Sequence, residues 1–298
     1  LSTDTVSAKT LVRNTPGTAK RRRPRMSATM SSTIYHTVLI VVSMIYILPL
    51  LWMITSSFKT KRQIFDAPFA LPTSIDLSIW TNAWERGDIG VYALNSVITT
   101  VASVTFILVF GLLAAYAFSR FKFRFSKWLL FPFILGLLLP VQSYLTAQSR
   151  WLDFFYLLDT RWALILPYAG LGLSLAVFLL KGYLDTLPRE LFEAAKIDGA
   201  GDFRTLIQIV LPLMRPGLAT VATFSILSTW NEFLLATLYI YDNDLRTIPV
   251  GLLAFTGKYS TDYPTLFAAL SIVTIPMIGI YVIFHKQVIS GITEGSVH

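Results

Sequence analysis

Long apolar runs separated by short polar connections dominate this sequence, and their lengths set the elements it predicts. No Asp, Glu, Lys or Arg occurs between residues 26 and 58, nor between 89 and 119. An α-helix needs about 20 apolar residues to cross the hydrocarbon core of a bilayer. Six segments qualify, predicted near 34–57, 94–118, 128–149, 162–180, 217–239 and 266–284. Pro132, Pro140 and Pro167 interrupt the third and fourth. Proline is tolerated in a membrane helix whose neighbours satisfy the freed carbonyls, so kinks in a packed bundle are expected. The first run far exceeds the roughly 7–15 apolar residues of a signal peptide, and no small-residue cleavage site follows, so it reads as an anchor.

Composition moves the picture the same way. Apolar residues make up 54% of the 298 and charged residues 14%, with a mean hydropathy of +0.60. Soluble domains carry about 25% charged residues. The expected fold class is an all-α membrane protein, a six-transmembrane-helix bundle. A net charge of +8 would suit nucleic acid, but much of the excess sits in Lys20, Arg21, Arg22, Arg23 and Arg25 beside the first apolar run. Such a cluster anchors topology on anionic headgroups, or is a solvated tail. No nucleic-acid partner is expected; the lipid bilayer is.

With an even number of spans both termini share a side. An internal N-terminus puts 17 of the 25 basic residues in cytoplasmic segments and 8 outside. The positive-inside rule therefore predicts cytoplasmic termini: a basic tail at 1–33, a membrane domain at 34–290 and a short tail at 291–298. Loops near 59–91 and 240–264 fall outside, either to meet another protein or merely solvated.

Candidate chemistry is sparse. The chain has no cysteine, which removes thiol catalysis, disulfides and Cys-type zinc sites. His36, His285 and His298 lie far apart without metal-ligand spacing, so no metal is expected. Nothing resembles a Ser-His-Asp set, a paired-carboxylate site or H-E-x-x-H, and no catalytic residue is assigned. The run from Gly251 to Gly257-Lys258-Tyr259 looks like a phosphate loop. It has one residue too many between the glycines and Tyr in place of Ser or Thr. No cofactor is expected in this chain.

A polar island at about 186–216 stands out between the apolar runs. Pro188 suits the first turn of a helix, and Glu190 and Glu193 sit where the helix dipole favours negative charge. Leu191, Ala194, Ala195 and Asp198 recur at helical spacing on one face, with two alanines small enough for a partner's backbone to come close. Gly199 and Gly201 then end the helix, and the chain restarts near Phe203. An ordinary interfacial helix is the rival reading, although those carry bulky apolar residues toward lipid.

Glu232 is the one formal charge placed inside a predicted span. An ionised group there is costly unless it faces a partner or water. With Trp230 and Asn231 it offers a ring face, an amide and a carboxylate to a sugar; the alternative is that these groups hold or bend neighbouring helices. Gln142, Tyr144 and Gln148 are further polar groups at membrane depth. Ala169, Gly170, Gly172, Ser174 and Ala176 read as close helix packing.

The run Glu193-Ala194-Ala195, Asp198-Gly199-Ala200-Gly201, Leu211-Pro212 and Pro216 resembles the EAA loop of the membrane subunits of binding-protein-dependent ABC importers. Asn95-Ser96, Pro140-Val141-Gln142, Leu158-Asp159-Thr160 and Trp230-Asn231-Glu232-Phe233 are similar to the sugar-importer branch, the maltose-type permeases. The resemblance implies a type I ABC importer permease fold with a cytoplasmic coupling helix, in a bacterial inner membrane. It implies that Glu193, Ala194, Ala195, Asp198, Gly199, Ala200, Gly201 and Pro212 serve ATPase coupling. Trp230, Asn231, Glu232, Gln142 and Tyr144 would line the substrate pathway for a di- or oligosaccharide. The implied partners are a second permease in a heterodimer, two ATP-hydrolysing subunits that bind the ATP, and an extracytoplasmic solute-binding protein. Phe192 departs from the pattern, since many relatives carry a second acid there. The rivals are a stand-alone secondary carrier, for which one Glu is thin support, and an intramembrane enzyme, for which a catalytic cluster is lacking.

Overall fold

A chain immersed in lipid must satisfy its backbone polar groups internally, and helices do so residue by residue. The computed structural model describes residues 28–121, 124–257 and 261–294. The basic cluster at 20–25, Lys258, Tyr259 and the last four residues lie outside them. The helices are α1 (Ala28–Ser56), α2 (Lys61–Asp66), α3 (Ser78–Arg86), α4 (Ile89–Arg120), α5 (Ser126–Leu138), α6 (Leu145–Phe154) and α7 (Trp162–Thr186). They continue as α8 (Arg189–Ile197), α9 (Asp202–Thr205), α10 (Leu211–Leu213), α11 (Arg215–Trp230), α12 (Leu234–Tyr239), α13 (Ile248–Gly251) and α14 (Tyr263–Glu294). Among the described residues there is no strand, only a single bridge between Thr256 and Thr261.

The chain divides into two compact units at residue 50. In the first, α1 carries exposed apolar side chains on every face, Ile34, Tyr35, Ile40, Ile45 and Tyr46 among them. A helix that is apolar all round has lipid or another protein as its solvent.

The second unit is organised around α7, which packs against α4, α5, α11 and α12; α11 also contacts α4 and α14. Small residues let α4 and α7 approach. A Cβ on Gly111 would lie 2.9 Å from the Ala176 Cβ, and one on Gly172 would strike Ile107. Ala115, Leu180 and Leu184 continue the seam in the largest core cluster. Without a hydrophobic drive between helices in lipid, such close packing is what holds them together. Ala169, Gly172 and Ala176 thus pack as expected. Ser174 does too, lying where the α5 backbone at Gly136 closes on α7, but Gly170 does not: a Cβ there would meet nothing within 4 Å.

Two runs read as continuous in the sequence are each two helices. At 128–149, α5 ends because Pro140 drives Leu139 out of the helical region (φ −77°, ψ 126°). A one-turn 3₁₀ segment, Val141–Ser143, then leads into α6. At 217–239, α11 stops at Trp230 and α12 starts at Leu234. Upstream, the helix widens into a π segment over Leu206–Val210, and Leu211 N–H reaches back to the Leu206 carbonyl. Pro212 has no N–H to offer residue 208 and its ring crowds that carbonyl, which accounts for the widening. The helices before and after Met214 bend by 75°.

One end of the second unit is tied by side chains. Asn95 donates from Nδ2 to the Asp244 carbonyl (2.7 Å) and accepts at Oδ1 from Arg161 (2.8 Å). Ser96 Oγ accepts from Ile248 N–H at 2.9 Å. Asp159, at a positive φ of 55°, accepts from the amides of Tyr241 (2.7 Å) and Asp242 (2.8 Å). The Asn-Ser and Leu-Asp-Thr runs therefore act as ties between the start of α4, the loop before α7 and the loop after α12.

Gly111→Val should weaken the α4–α7 seam by about 1–3 kcal/mol, the usual cost of overpacking. The solubilised chain would then melt several degrees below wild type, whereas Gly170→Ala would melt with it. Equal midpoints for Gly111→Val and wild type would show that the seam does not hold the unit together.

Candidate functional site

The polar island folds as a short helix rooted on one face and bare on the other. Pro188 leaves the preceding helix in an extended conformation (ψ 134°), and α8 runs from Arg189 to Ile197. Its ending is a complete Schellman motif. Gly199 N–H reaches the Lys196 carbonyl (3.1 Å) and Ala200 N–H the Ala195 carbonyl (2.9 Å), with Gly199 at φ +74°. Only glycine adopts that left-handed position without cost. Gly201, at φ −69°, opens α9.

The face predicted from spacing is corrected in one respect. Leu191, Ala194 and Asp198 are exposed, but Ala195 is buried together with Phe192. The two alanines point apart, one toward the surface and one toward the core. Phe192 belongs to the core cluster with Leu112, Tyr116, Leu184 and Leu206. The Arg120 guanidinium lies 3.7 Å above the centre of its ring, a favourable cation–π geometry. Phe192, the departure from the family pattern, is thus the root of the helix.

The outward surface carries Glu193, Ala194 and Asp198 around Ile197, which is 86% exposed. Phe203 (74%) and Ile207 (45%) are further exposed apolar groups in the segment that follows. The sequence expectation, which weighed the alanines and acids, did not single out Ile197. Ala200 and Gly201 form the turn between the two short helices, and Pro212 sits at the start of α10.

The predicted pathway residues separate into three groups. Gln142 is exposed in the 3₁₀ turn after Pro140. Tyr144 lines a cavity of about 290 Å³ between α5, α6 and α7, together with Gln148. The Tyr239 hydroxyl donates to Gln148 Oε1 at 3.0 Å. Trp230, Asn231 and Glu232 lie at the break between α11 and α12, and none of them lines that cavity.

At the break each of the three does something different. Trp230 has a buried indole N–H without a partner among the described residues. Asn231 Nδ2 donates back to the Leu227 carbonyl (2.8 Å). Glu232 accepts at Oε1 from Leu235 N–H (2.9 Å) and at Oε2 from Ala236 N–H (3.2 Å), capping α12. Its Oε2 also accepts from the Tyr168 hydroxyl of α7 at 2.7 Å. A carboxylate placed on the first free amides of a helix satisfies donors the break would otherwise strand.

Comparison with known proteins agrees with this architecture. The family described as "Binding-protein-dependent transport system inner membrane component" matches residues 107–293. The diacetylchitobiose uptake system permease protein NgcG of Streptomyces coelicolor is 36% identical over 267 residues, 89% of this chain and 88% of that protein. The maltodextrin transport system permease protein MalD of Streptococcus pneumoniae is 32% identical over 277 residues, 91% of this chain and 97% of that one. A chain of a bacterial ABC transporter involved in the import of the acidic polysaccharide alginate shares the fold, with a TM-score of 0.77 at 20% identity over 88% of this chain and 97% of its own. The chain belongs to the binding-protein-dependent transport system inner membrane components, multi-pass permease subunits of ABC importers that work with ATPase and solute-binding proteins and catalyse no reaction themselves.

Proposed function

We propose that this chain forms half of the pathway by which an ABC importer carries a di- or oligosaccharide inward, paired with a second, different permease. Two ATPase subunits act from the cytoplasm, where both termini lie, and α8 is the element that couples to them. The observation that carries the coupling reading is the two-sidedness of α8. Its buried face roots in a cluster shared by α4, α7 and the segment after α9, so a displacement of the exposed face moves those helices as a body. Glu193, Ala194 and Asp198 border the contact, while Ala195, Gly199, Ala200, Gly201 and Pro212 hold its shape. The carbohydrate reading is supported by relatives whose names specify diacetylchitobiose and maltodextrin.

Within the pathway, Gln142 and Tyr144 offer neutral hydrogen-bonding groups. Trp230, Asn231 and Glu232 shape it by fixing the broken helix. Both Glu232 carboxylate oxygens are already engaged by Leu235, Ala236 and Tyr168, which favours the positioning role over direct contact with a sugar.

Ile197→Glu should leave the chain inserted yet lower saccharide uptake by proteoliposomes at least about tenfold, since it puts a charge into a desolvated contact. Undiminished saccharide-stimulated ATP hydrolysis in that variant would remove α8 as the coupling element. Glu232→Gln should lower the melting midpoint of the complex and leave the KM for transported sugar unchanged. A raised KM with an unaltered midpoint would instead make Glu232 a substrate contact. Affinity purification from native membranes should recover a second, non-identical permease with the ATPase; recovery of this chain as the sole permease would refute the heterodimer.

A further inference from the structure

The cavity between α5, α6 and α7 has a chemistry that the coupling loop and the broken helix do not share. It is lined by leucines and the Pro167 ring together with Tyr144, Gln148, Trp151 and Ser174, and among the described residues no charged side chain lines it. Its volume of about 290 Å³ lies just below the range of roughly 300–1,000 Å³ for small-molecule sites.

The polar groups are placed but unmet. Ser174 lines the cavity, and among the described residues its hydroxyl makes no hydrogen bond, so it is open to a ligand there. The Tyr144 hydroxyl is also without a hydrogen-bond partner among the described residues. Gln148 has its Oε1 occupied by the Tyr239 hydroxyl at 3.0 Å, which fixes the amide and leaves its NH₂ as a donor. Trp151, half exposed and tilted against Phe155 at 4.8 Å, contributes a flat apolar face.

Two glycines make the room. At Gly136 the α5 backbone comes so close to α7 that a Cβ would strike Ser174 Oγ, and at Gly170 a Cβ would meet nothing within 4 Å; both glycines line the cavity.

We propose that this cavity is a subsite for one neutral pyranose ring of the transported saccharide, with Trp151 and Tyr144 facing the ring and Gln148, Ser174 and the Tyr144 hydroxyl bonding its hydroxyl or acetamido groups. The proposal rests on the carbohydrate reading above. A ring with an apolar face and a polar edge suits a lining that mixes apolar side chains with hydroxyl, amide and indole groups. The absence of a lining base favours a neutral sugar over an acidic one, because an ionised carboxylate here would be desolvated without a counter-charge. A lipid chain would suit the leucines but leave the hydroxyls and the amide unmet.

The test is uptake of labelled N,N′-diacetylchitobiose and maltotriose by proteoliposomes holding the complete importer and its binding protein. Gly170→Leu narrows the cavity from a position where a Cβ meets no neighbour within 4 Å, and a melting midpoint like that of wild type checks that the variant assembles. Its KM should rise at least about tenfold for the sugar that wild type carries. Ser174→Ala removes a hydroxyl bonded to no protein group, so it costs no fold stability, and should raise KM about three- to tenfold, as loss of one hydrogen bond to the sugar implies. Unchanged KM in both variants, with wild type transporting, would overturn the subsite and leave the carbohydrate function standing. Co-purified lipid lost from Gly170→Leu at unchanged KM would assign the cavity to lipid and likewise overturn it. Failure of wild type to carry either sugar would overturn both readings together.

Discussion

The close approach of α4 and α7 at Gly111 and Ala176 is the contact on which the rest of the second unit depends. Between helices in lipid there is no hydrophobic drive to bring surfaces together, and attraction comes from many short van der Waals contacts. Only small residues let two backbones come near enough to collect them. Once that seam is formed, α7 presents its other sides to α5, α11 and α12. The α8 root, the cavity and the Tyr168–Glu232 bond are all arranged on α7 or its immediate neighbours.

The interruptions in the helices are where the chain acquires polar function. A helix broken at membrane depth strands amides and carbonyls, and each must find a partner or water. Glu232 supplies that partner for α12, and its bond to Tyr168 ties the broken element to α7. At Pro140 the chain turns instead of ending, and the short α6 that follows carries Gln148 and Trp151 to the cavity wall. The π segment before Pro212 absorbs the missing amide within the helix, and the chain bends by 75° only at Met214.

The coupling proposed for α8 needs an element that is stiff toward its own chain and open toward a partner. Phe192, packed under Arg120 and among the α4 and α7 side chains, supplies stiffness. Ile197, Phe203 and Ile207 are exposed apolar side chains on either side of the glycine turn. Exposed apolar patches rimmed by polar groups mark sites of protein contact. The same surface would be expensive on an isolated chain, which is consistent with a subunit made to work in a complex.

The sequence alone determined the all-helical membrane class, because apolar runs of spanning length and a deficit of charge admit no other solvent. It also marked the short helix α8 and its glycine ending, because glycines at a helix end and acids at its start act locally, within a few residues. It did not determine that Ala195 turns inward while Ala194 turns outward, or that Phe192 is a root, since those depend on which side α4 and α7 lie. Nor did it separate Gly170, which borders open space, from Gly172 and Ala176, which fill a seam. All three are small residues on one helix, and spacing cannot say what faces them. Glu232 was conspicuous as a charge in an apolar run, but its role as a helix cap came from the tertiary structure, which places Tyr168 opposite it and the break in the helix beneath it.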